Sequence, residues 1–190
     1  MSTAALILAA GASRRLGRPK QNVIIGGQSL LERAVHTAQQ AGLRPVLAVV
    51  QEVRWTDILV SKGAVVLLNP HAHEGMSASI RVGIAWLQQR PEVTGVVALT
   101  CDQPALRAEH LRALCADPAR VTASAYSGRN GVPAYFPRES FEALQQLRGD
   151  AGARLLLQNA PAVHDETLAL DIDTEEDVLR AQALFRLEPR

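Results

Sequence analysis

The chain has 190 residues, and its 20 Lys and Arg against 19 Asp and Glu give a formal net charge of +1. This length suits a single α/β domain over residues 1–190, and the balanced, dispersed charge argues against a nucleic-acid partner. No apolar run approaches the roughly 18 residues that cross a membrane. The first strand begins too early to leave room for a secretory leader, so a cytoplasmic location is expected.

Apolar runs of strand length alternate with segments of helical spacing. The runs predict strands at 4–9, 45–50, 65–68 and 93–99, and the spacing predicts helices near 29–41, 52–61, 77–89, 107–116, 138–147, 150–158 and 174–186. Continuous apolarity indicates strands that are covered on both faces. We therefore predict an α/β fold with a doubly wound, mostly parallel, Rossmann-like sheet, whose ligands bind at the carboxyl ends of the strands.

The first strand breaks into a loop that is rich in small residues and cations. The pattern is Gly11-x-Ser13-x-Arg15-x-Gly17-x-x-Lys20, with Arg14 and Arg18 beside it. Free backbone N–H groups and cations directly after a buried strand suit a polyphosphate. The spacing fits neither a P-loop nor a dinucleotide fingerprint. We predict that residues 10–20 bind a nucleoside triphosphate; the alternative is an ordinary basic surface turn.

The next candidate loop precedes the helix near 77–89. Gly75 allows close approach of the backbone, while Ser77 and Ser79 offer groups suited to a base edge, a ribose or an anion. Plain N-capping by Ser77 is the alternative. His71 and His73 with Glu74 have some resemblance to a metal site, but two surface histidines without a third ligand are usually solvated.

Two aspartates are candidate metal ligands. Asp102 directly follows a buried strand, where a carboxylate can bind Mg²⁺ together with phosphate oxygens, or can simply cap the helix that follows. Asp173 lies in a segment that is typical of a capping-box helix start, with Asp173 or Thr174 followed by Glu176 or Asp177. The same spacing lets one carboxylate face the loops at the sheet edge.

Two later stretches are expected to form a rim of the site. Residues 126–136 predict a strand, a glycine turn and a returning strand. Asp150 and Arg154 are four residues apart and can form an ion pair within a helix.

The stretch 6–21 resembles the N-terminal signature of the MobA-like nucleotidyltransferases. Leu8-Ala-Ala-Gly11 followed by Gly17-Arg-Pro-Lys-Gln21 is similar to the branch that makes molybdopterin cytosine dinucleotide. Further similar elements follow in the expected order: Glu74-Gly-Met-Ser-x-Ser-x-Arg81, Asp102-Gln-Pro104, Gly128-x-x-Gly-x-Pro133, Gly149-Asp-x-Gly-Ala-Arg154 and Asp171-x-Asp-Thr174. Val132 departs from the family, which often has histidine there, so a contact with the acceptor is expected to differ.

The resemblance implies a reaction in which the phosphate of molybdopterin attacks the α-phosphorus of CTP, with Mg²⁺ as cofactor and pyrophosphate as the leaving group. It assigns catalysis to Arg15, Lys20 and Asp102, and the metal to Asp102 and Asp173, with Asp171 as the reserve ligand. The nucleotide would contact Ala10, Gly11, Ser13, Arg14, Gly75, Ser77 and Ser79. The implied partners are CTP, a molybdopterin-type acceptor and a client molybdenum hydroxylase. The competing hypotheses are GTP as donor, a sugar or polyol phosphate as acceptor, or a non-catalytic module that delivers the cofactor.

Overall fold

The computed structural model describes residues 1–150 and 152–187. Its strands are β1 (Ser2–Leu8), β2 (Ile24–Ile25), β3 (Gln28–Ser29), β4 (Val46–Val50), β5 (Val65–Leu68), β6 (Val93–Thr100), β7 (Thr122–Tyr126), β8 (Arg129–Pro137) and β9 (Ala162–His164). Its helices are α1 (Leu30–Gln40), α2 (Trp55–Ser61), α3 (Met76–Gln88), α4 (Ala108–Leu114), α5 (Phe141–Gln145), α6 (Arg154–Leu157) and α7 (Glu175–Leu187).

Seven strands form one sheet in the order β5-β4-β1-β6-β8-β7-β9. The pairs of β1 with β4 and β6, of β4 with β5, and of β7 with β9 are parallel, whereas β8 is antiparallel to both of its neighbours. The parallel strands therefore bring their carboxyl ends to one edge of the sheet. The prediction of a mostly parallel sheet is confirmed.

Alternation along β1 sends side chains into two separate cores. Ala5 and Ile7 pack with apolar residues of α1, α2 and α4, whereas Leu6 and Leu8 pack with those of α3, α5 and α6. Each fully buried large aliphatic side chain stabilises the fold by roughly 1.5–3 kcal/mol relative to exposure. Helices thus cover both faces, as doubly wound sheets require.

A third, smaller core fixes the loop after β1 against the start of α7. Leu16 and Val23 pack with Ile172 and Val178 there. Within the same contact the Arg18 guanidinium donates two hydrogen bonds to the Glu175 carboxylate, of 2.7 and 2.9 Å. The cationic loop and the segment around residue 173 are therefore held side by side.

Several predicted boundaries change in the structure. The helix predicted at 52–61 begins only at Trp55, and the one predicted at 150–158 is the single turn α6, with residue 151 outside the described part. The strands β7 and β8 confirm the strand, glycine turn and returning strand. The hairpin of β2 and β3 and the three-residue β9 were not predicted, because pieces this short carry no periodicity.

The start of α7 is a capping box, as the sequence predicts. The Thr174 hydroxyl oxygen accepts from the Asp177 N–H at 3.3 Å, and the Asp177 carboxylate accepts from the Thr174 N–H at 2.9 Å. Among the described residues, no helix is both long enough and apolar enough to pass through a lipid bilayer.

Candidate active site

A cleft of about 400 Å³ opens at the carboxyl edge of the sheet, where β1 and β6 end. Its walls come from five segments: the loop after β1, the start of α3, the end of β6 with the residues that follow it, the connection that carries Asp150, and the connection that carries Asp173. Seven residues of the predicted phosphate loop line it, namely Ala10, Gly11, Ala12, Ser13, Arg14, Arg15 and Lys20. The topology thus brings together residues that are far apart in sequence.

Two hydrogen bonds within the loop after β1 close it on itself. Ser13 has a φ of +47°, and its hydroxyl oxygen accepts from the Lys20 N–H at 3.0 Å. Gly17, with a φ of +71°, donates its N–H to the Ser13 carbonyl oxygen at 3.1 Å. These bonds close the loop into a ring that presents Lys20 to the floor of the cleft.

The Lys20 ammonium lies between two carboxylates. Nζ donates to Oδ2 of Asp102 at 3.0 Å and also bonds to Oδ1 of Asp173. Burial opposes the charged amine, but the charges and hydrogen bonds of the two aspartates outweigh it and raise the pKa of Lys20. Arg15 forms an ion pair with the other Asp173 oxygen. The floor of the cleft is therefore a compact group of two carboxylates and two cations.

A backbone hydrogen bond holds the two carboxylates together. The Ile172 N–H donates to the Asp102 carbonyl oxygen at 2.9 Å, so the segment from 171 to 173 continues alongside the end of β6. Burial, followed by the charge of Asp102, raises the pKa of Asp171 to about 7. Asp102 does not begin a helix, because α4 starts only at Ala108, so the interpretation of Asp102 as a helix cap is wrong.

The start of α3 forms the opposite wall. Gly75 precedes the helix with a φ of +101°, and a Cβ there would overlap Oδ1 of Asp150. Ser79 lines the cleft and accepts from Nδ2 of the buried Asn69 at 3.0 Å. The backbone of Gly75 thus lies directly against the carboxylate of Asp150 in the cleft wall.

Ser77 differs from its prediction. It is fully buried in the first turn of α3 and is not part of the cleft wall, so its expected role in a nucleoside pocket has no support from its position. It does not cap the helix either, since Gly75 holds that position and no side chain caps it. The backbone N–H of Ser77 donates instead to the Gly149 carbonyl oxygen at 3.2 Å.

Three further predictions, for an Asp150–Arg154 ion pair, for a histidine metal site and for Arg18, are tested by where these residues lie. Asp150 and Arg154 form no ion pair, because Asp150 lines this cleft and Arg154 lines a different cavity. His71 and His73 lie at the surface, and within residues 1–150 and 152–187 no group of three or more His, Cys, Asp or Glu is arranged to hold a metal on its own. Arg18 binds Glu175 rather than the cleft.

Some cleft residues were not predicted. Gln21 is almost fully buried in a single turn of 3-10 helix and lines the wall beside Lys20. Cys101 lines the floor as a neutral thiol, because burial raises its pKa far above the ordinary value. Gln21 ends the Gly17-Arg-Pro-Lys-Gln21 signature, whereas Cys101 gave no signal beyond its position before Asp102.

The sequence profile of the MobA-like NTP transferase domain matches residues 5–166. The chain belongs to this family. The matched region of this MobA-like NTP transferase contains Lys20 and Asp102, whereas Asp173 lies beyond it.

Curated relatives cover most of the chain. Purine catabolism protein PucB of Bacillus subtilis is 31% identical, over 90% of this chain and 92% of its own length. Nicotine blue oxidoreductase of Paenarthrobacter nicotinovorans is 32% identical, over 96% of this chain and 94% of its own length. Molybdenum cofactor guanylyltransferase of Rhizobium johnstonii is 29% identical, over 67% of this chain and 59% of its own length. This MobA-like protein therefore has relatives with several different named roles.

Solved structures share the whole fold. Rv0371c of Mycobacterium tuberculosis superposes with a TM-score of 0.81 at 26% identity, covering 96% of this chain and 98% of that one. The same protein is also known as a complex with manganese, which superposes with a TM-score of 0.76 and covers 96% and 99% of the two chains. A relative with this fold thus binds manganese.

Proposed function

We propose that this MobA-like protein transfers a cytidylyl group from CTP to the terminal phosphate of a molybdopterin-type acceptor, with Mg²⁺ as cofactor, and releases pyrophosphate. The observation that carries the proposal is the group formed by Lys20, Asp102 and Asp173 beneath a cationic loop. It combines a cation for phosphate oxygens with carboxylates for a metal at one point of the cleft. The acceptor phosphate would attack the α-phosphorus in line with the departing pyrophosphate. This reaction requires positioning of the two substrates and neutralisation of their charge, and it needs no covalent enzyme intermediate.

Lys20 and Arg15 would take up the phosphates of the nucleotide. In the structure both cations bind Asp173, so they exchange a carboxylate partner for phosphate oxygens when the triphosphate enters. Arg15 offers a planar fork and Lys20 a point charge, both suited to phosphate. The same two cations then stabilise the negative charge that accumulates on the departing pyrophosphate.

The donor set fits Mg²⁺. This ion usually binds one or two carboxylates together with substrate phosphates rather than a complete protein cage. Asp102 and Asp173 supply such a pair, since both already bind one cationic group, the Lys20 ammonium. When bound there, the metal would neutralise charge on the phosphates of donor and acceptor.

The preference for cytosine is supported by the Leu8-Ala-Ala-Gly11 signature, whose Ala10 and Gly11 lie on the cleft wall. The acceptor class is supported by the relative that is named for guanylyl transfer to molybdenum cofactor. The names of the other two relatives refer to purine catabolism and to oxidoreduction, which supports a client molybdenum hydroxylase as partner.

Pyrophosphate release tests the proposal directly. Purified protein would be mixed with Mg²⁺, metal-loaded molybdopterin and CTP, GTP or ATP in separate reactions. Release with CTP alone is expected, together with a cytosine dinucleotide product. Release with GTP alone would move the protein to guanylyl transfer. If nucleotide binds by calorimetry but no nucleotide reacts, the acceptor is not molybdopterin, and sugar and polyol phosphates become the next acceptors to test.

A further inference from the structure

Asp150 is a third carboxylate in the cleft wall, and the proposed function gives it no task. Its side chain lines the cleft together with those of Asp102 and Asp173. Within residues 1–150 and 152–187 no three His, Cys, Asp or Glu side chains are arranged to hold a metal, so Asp150 does not join the other two in one metal site. Over the same residues its side chain has no ion-pair or hydrogen-bond partner. Both of its carboxylate oxygens are therefore available to a ligand.

The backbone of α3 holds Asp150 in place. The Ser77 N–H donates to the carbonyl oxygen of Gly149 at 3.2 Å, which attaches the preceding residue to the first turn of the helix. Oδ1 of Asp150 lies against Gly75, in the space that a Cβ at that position would need. The carboxylate is thus positioned beside the start of α3 by the backbone rather than by a cation.

The charges in the cleft orient a nucleotide. In the part of the chain that the structure describes, all Lys and Arg residues of the cleft belong to the loop after β1, namely Arg14, Arg15 and Lys20. Phosphate oxygens are attracted to these cations and repelled by the unpaired carboxylate of Asp150 on the opposite wall. A triphosphate therefore lies along the loop, and the uncharged part of the nucleotide is directed toward Asp150.

Burial separates the base from the ribose. Ala10 and Ser79 are only 4% and 5% exposed, whereas Asp150 is an exposed residue. A base gains most from a buried wall, because its planar faces are apolar. The ribose carries two neighbouring hydroxyl donors, and a carboxylate can accept from both at once. The cytosine edge offers a single donor group, its amino group. Asp150 therefore suits the ribose better than the base.

We propose that the Asp150 carboxylate accepts hydrogen bonds from the 2′- and 3′-hydroxyls of the bound nucleoside triphosphate, and so makes the cleft selective for ribonucleotides. This inference rests on the proposed function, which puts the phosphates beside Lys20 and the α-phosphorus beside Asp102. The ribose is the next group along the nucleotide. Hydrogen bonds from a hydroxyl to a carboxylate are short and strong. A 2′-deoxy sugar loses one of the two.

Calorimetry with CTP and with 2′-deoxy-CTP, both in the presence of Mg²⁺, tests the ribose contact. The wild type is expected to bind CTP about tenfold more tightly, because 2′-deoxy-CTP lacks one hydrogen bond to a charged group. In Asp150→Ala the two affinities should agree within about twofold, since the partner of the 2′-hydroxyl is gone. The matched control is Asp57→Ala, which removes an exposed carboxylate of α2 outside the cleft and should keep the wild-type ratio.

Asp150→Asn keeps the test valid if thermal melting shows that the alanine variant is unfolded. The asparagine side chain has the same shape but only one acceptor oxygen, so the ratio of CTP to 2′-deoxy-CTP affinity is expected to fall below that of the wild type. A ratio that both Asp150 variants leave unchanged would overturn the ribose contact. Equal affinity of the wild type for the two nucleotides would overturn it as well.

UTP distinguishes the ribose from the base, because its base has a carbonyl oxygen where cytosine has the amino group. If Asp150→Ala changes the ratio of CTP to UTP affinity and leaves the ribose ratio unchanged, the carboxylate contacts the base and the proposal is wrong. The comparison of GTP with 2′-deoxy-GTP gives the same information if guanine is the base. The proposed function fails separately, through the absence of pyrophosphate release, whatever the ribose ratio is.

Discussion

Nζ of Lys20 lies 3.0 Å from Oδ2 of Asp102, although 82 residues separate the two in the chain. Lys20 belongs to the loop after β1, and Asp102 follows β6. These strands are parallel neighbours, with Leu8 beside Thr100, so their ends must meet at the same place. The order of the strands therefore creates the contact between cation and carboxylate.

Under the proposed function, Asp102→Asn is expected to reduce pyrophosphate release by a factor on the order of 10³, because the variant would lose a charged ligand for the metal beside the reacting phosphates. The fold should persist, since Asp102 lines the cleft and belongs to none of the three apolar cores. Turnover and thermal melting are measured together. The control is Asp117→Asn, which removes a surface carboxylate bound to Arg120. Normal Mg²⁺-dependent turnover in Asp102→Asn would refute the assignment.

Lys20→Ala is expected to weaken CTP binding about tenfold to a hundredfold, the loss of a charge-assisted contact with phosphate. Because the neighbouring aspartates raise the pKa of Lys20, the amine stays charged at any pH suitable for the assay. Calorimetry with CTP and Mg²⁺ measures the effect. Lys62→Ala is the control, since Lys62 binds Glu32 at 3.3 Å, away from the cleft. Equal CTP affinity in both variants would contradict the role of Lys20.

Gly11→Ala separates ligand contact from folding. A Cβ at Gly11 would have no neighbouring atom within 4 Å, and its φ is ordinary, so the melting temperature should not change. If nucleotide phosphates pack against this loop, the added methyl group occupies their space and CTP affinity falls. Calorimetry measures the CTP affinity, and thermal melting measures the stability of the fold. Unchanged CTP affinity would mean that the nucleotide does not approach Gly11.

Gly75→Ala should damage both the fold and the cleft. The new Cβ would overlap the Asp150 carboxylate and lie 2.8 Å from the Gly149 carbonyl group, and the φ of +101° adds backbone strain. We expect a loss of about 1–3 kcal/mol in the free energy of unfolding and weaker nucleotide binding. The control is Gly128→Ala, whose φ is +70° but whose Cβ would meet nothing within 4 Å. If both variants lose the same stability in denaturant titrations, crowding by Asp150 is not the cause.

His110 gives the stability a dependence on pH. The Ser124 hydroxyl donates its proton to the Pro133 carbonyl oxygen at 2.5 Å, so Nε2 of His110, 2.7 Å from the hydroxyl oxygen, must be the donor. Burial lowers the pKa of His110 below 6.5, although Asp165 opposes the shift. Well above pH 6.5 the ring is neutral in both the folded and the unfolded state, because the ordinary pKa of histidine is 6.5 and folding lowers it. Below it the unfolded chain binds the proton first, so the free energy of unfolding decreases as the pH falls.

His110→Gln tests this dependence, because the amide can still donate to Ser124 but cannot titrate. Between about pH 7 and pH 5 the melting temperature of the wild type should fall further than that of the variant. His110→Ala, which lacks the donor, should be less stable at every pH. If the melting temperatures of the wild type and of His110→Gln fall by the same amount over this pH range, His110 does not cause the pH dependence.

The sequence predicted the framework of the cleft well. A buried strand that runs into Asp102, and a cationic loop after β1, are local patterns, and the parallel sheet places both at one edge. The sequence could not show that Lys20 binds both aspartates, because that depends on the path of residues 171–173. Ser77 fits a capping pattern but lies inside the helix, since the N-cap position is taken by Gly75, two residues earlier. The cavity lined by Arg129 and Arg154 is formed by three separate elements: the turn between β7 and β8, the helix α6 and the end of β9. No local sequence pattern contains all three.

The hydrogen bond from Ile172 to Asp102 also has a consequence for biosynthesis. Every strand of the sheet precedes residue 165, so a ribosome delivers the whole sheet before it delivers Asp173. A chain that stopped prematurely near residue 166 would contain the sheet, the cationic loop and Asp102, but not the second carboxylate. Such a product would lack the carboxylate that binds both Arg15 and Lys20, so translation must pass residue 173 before the site can be assembled.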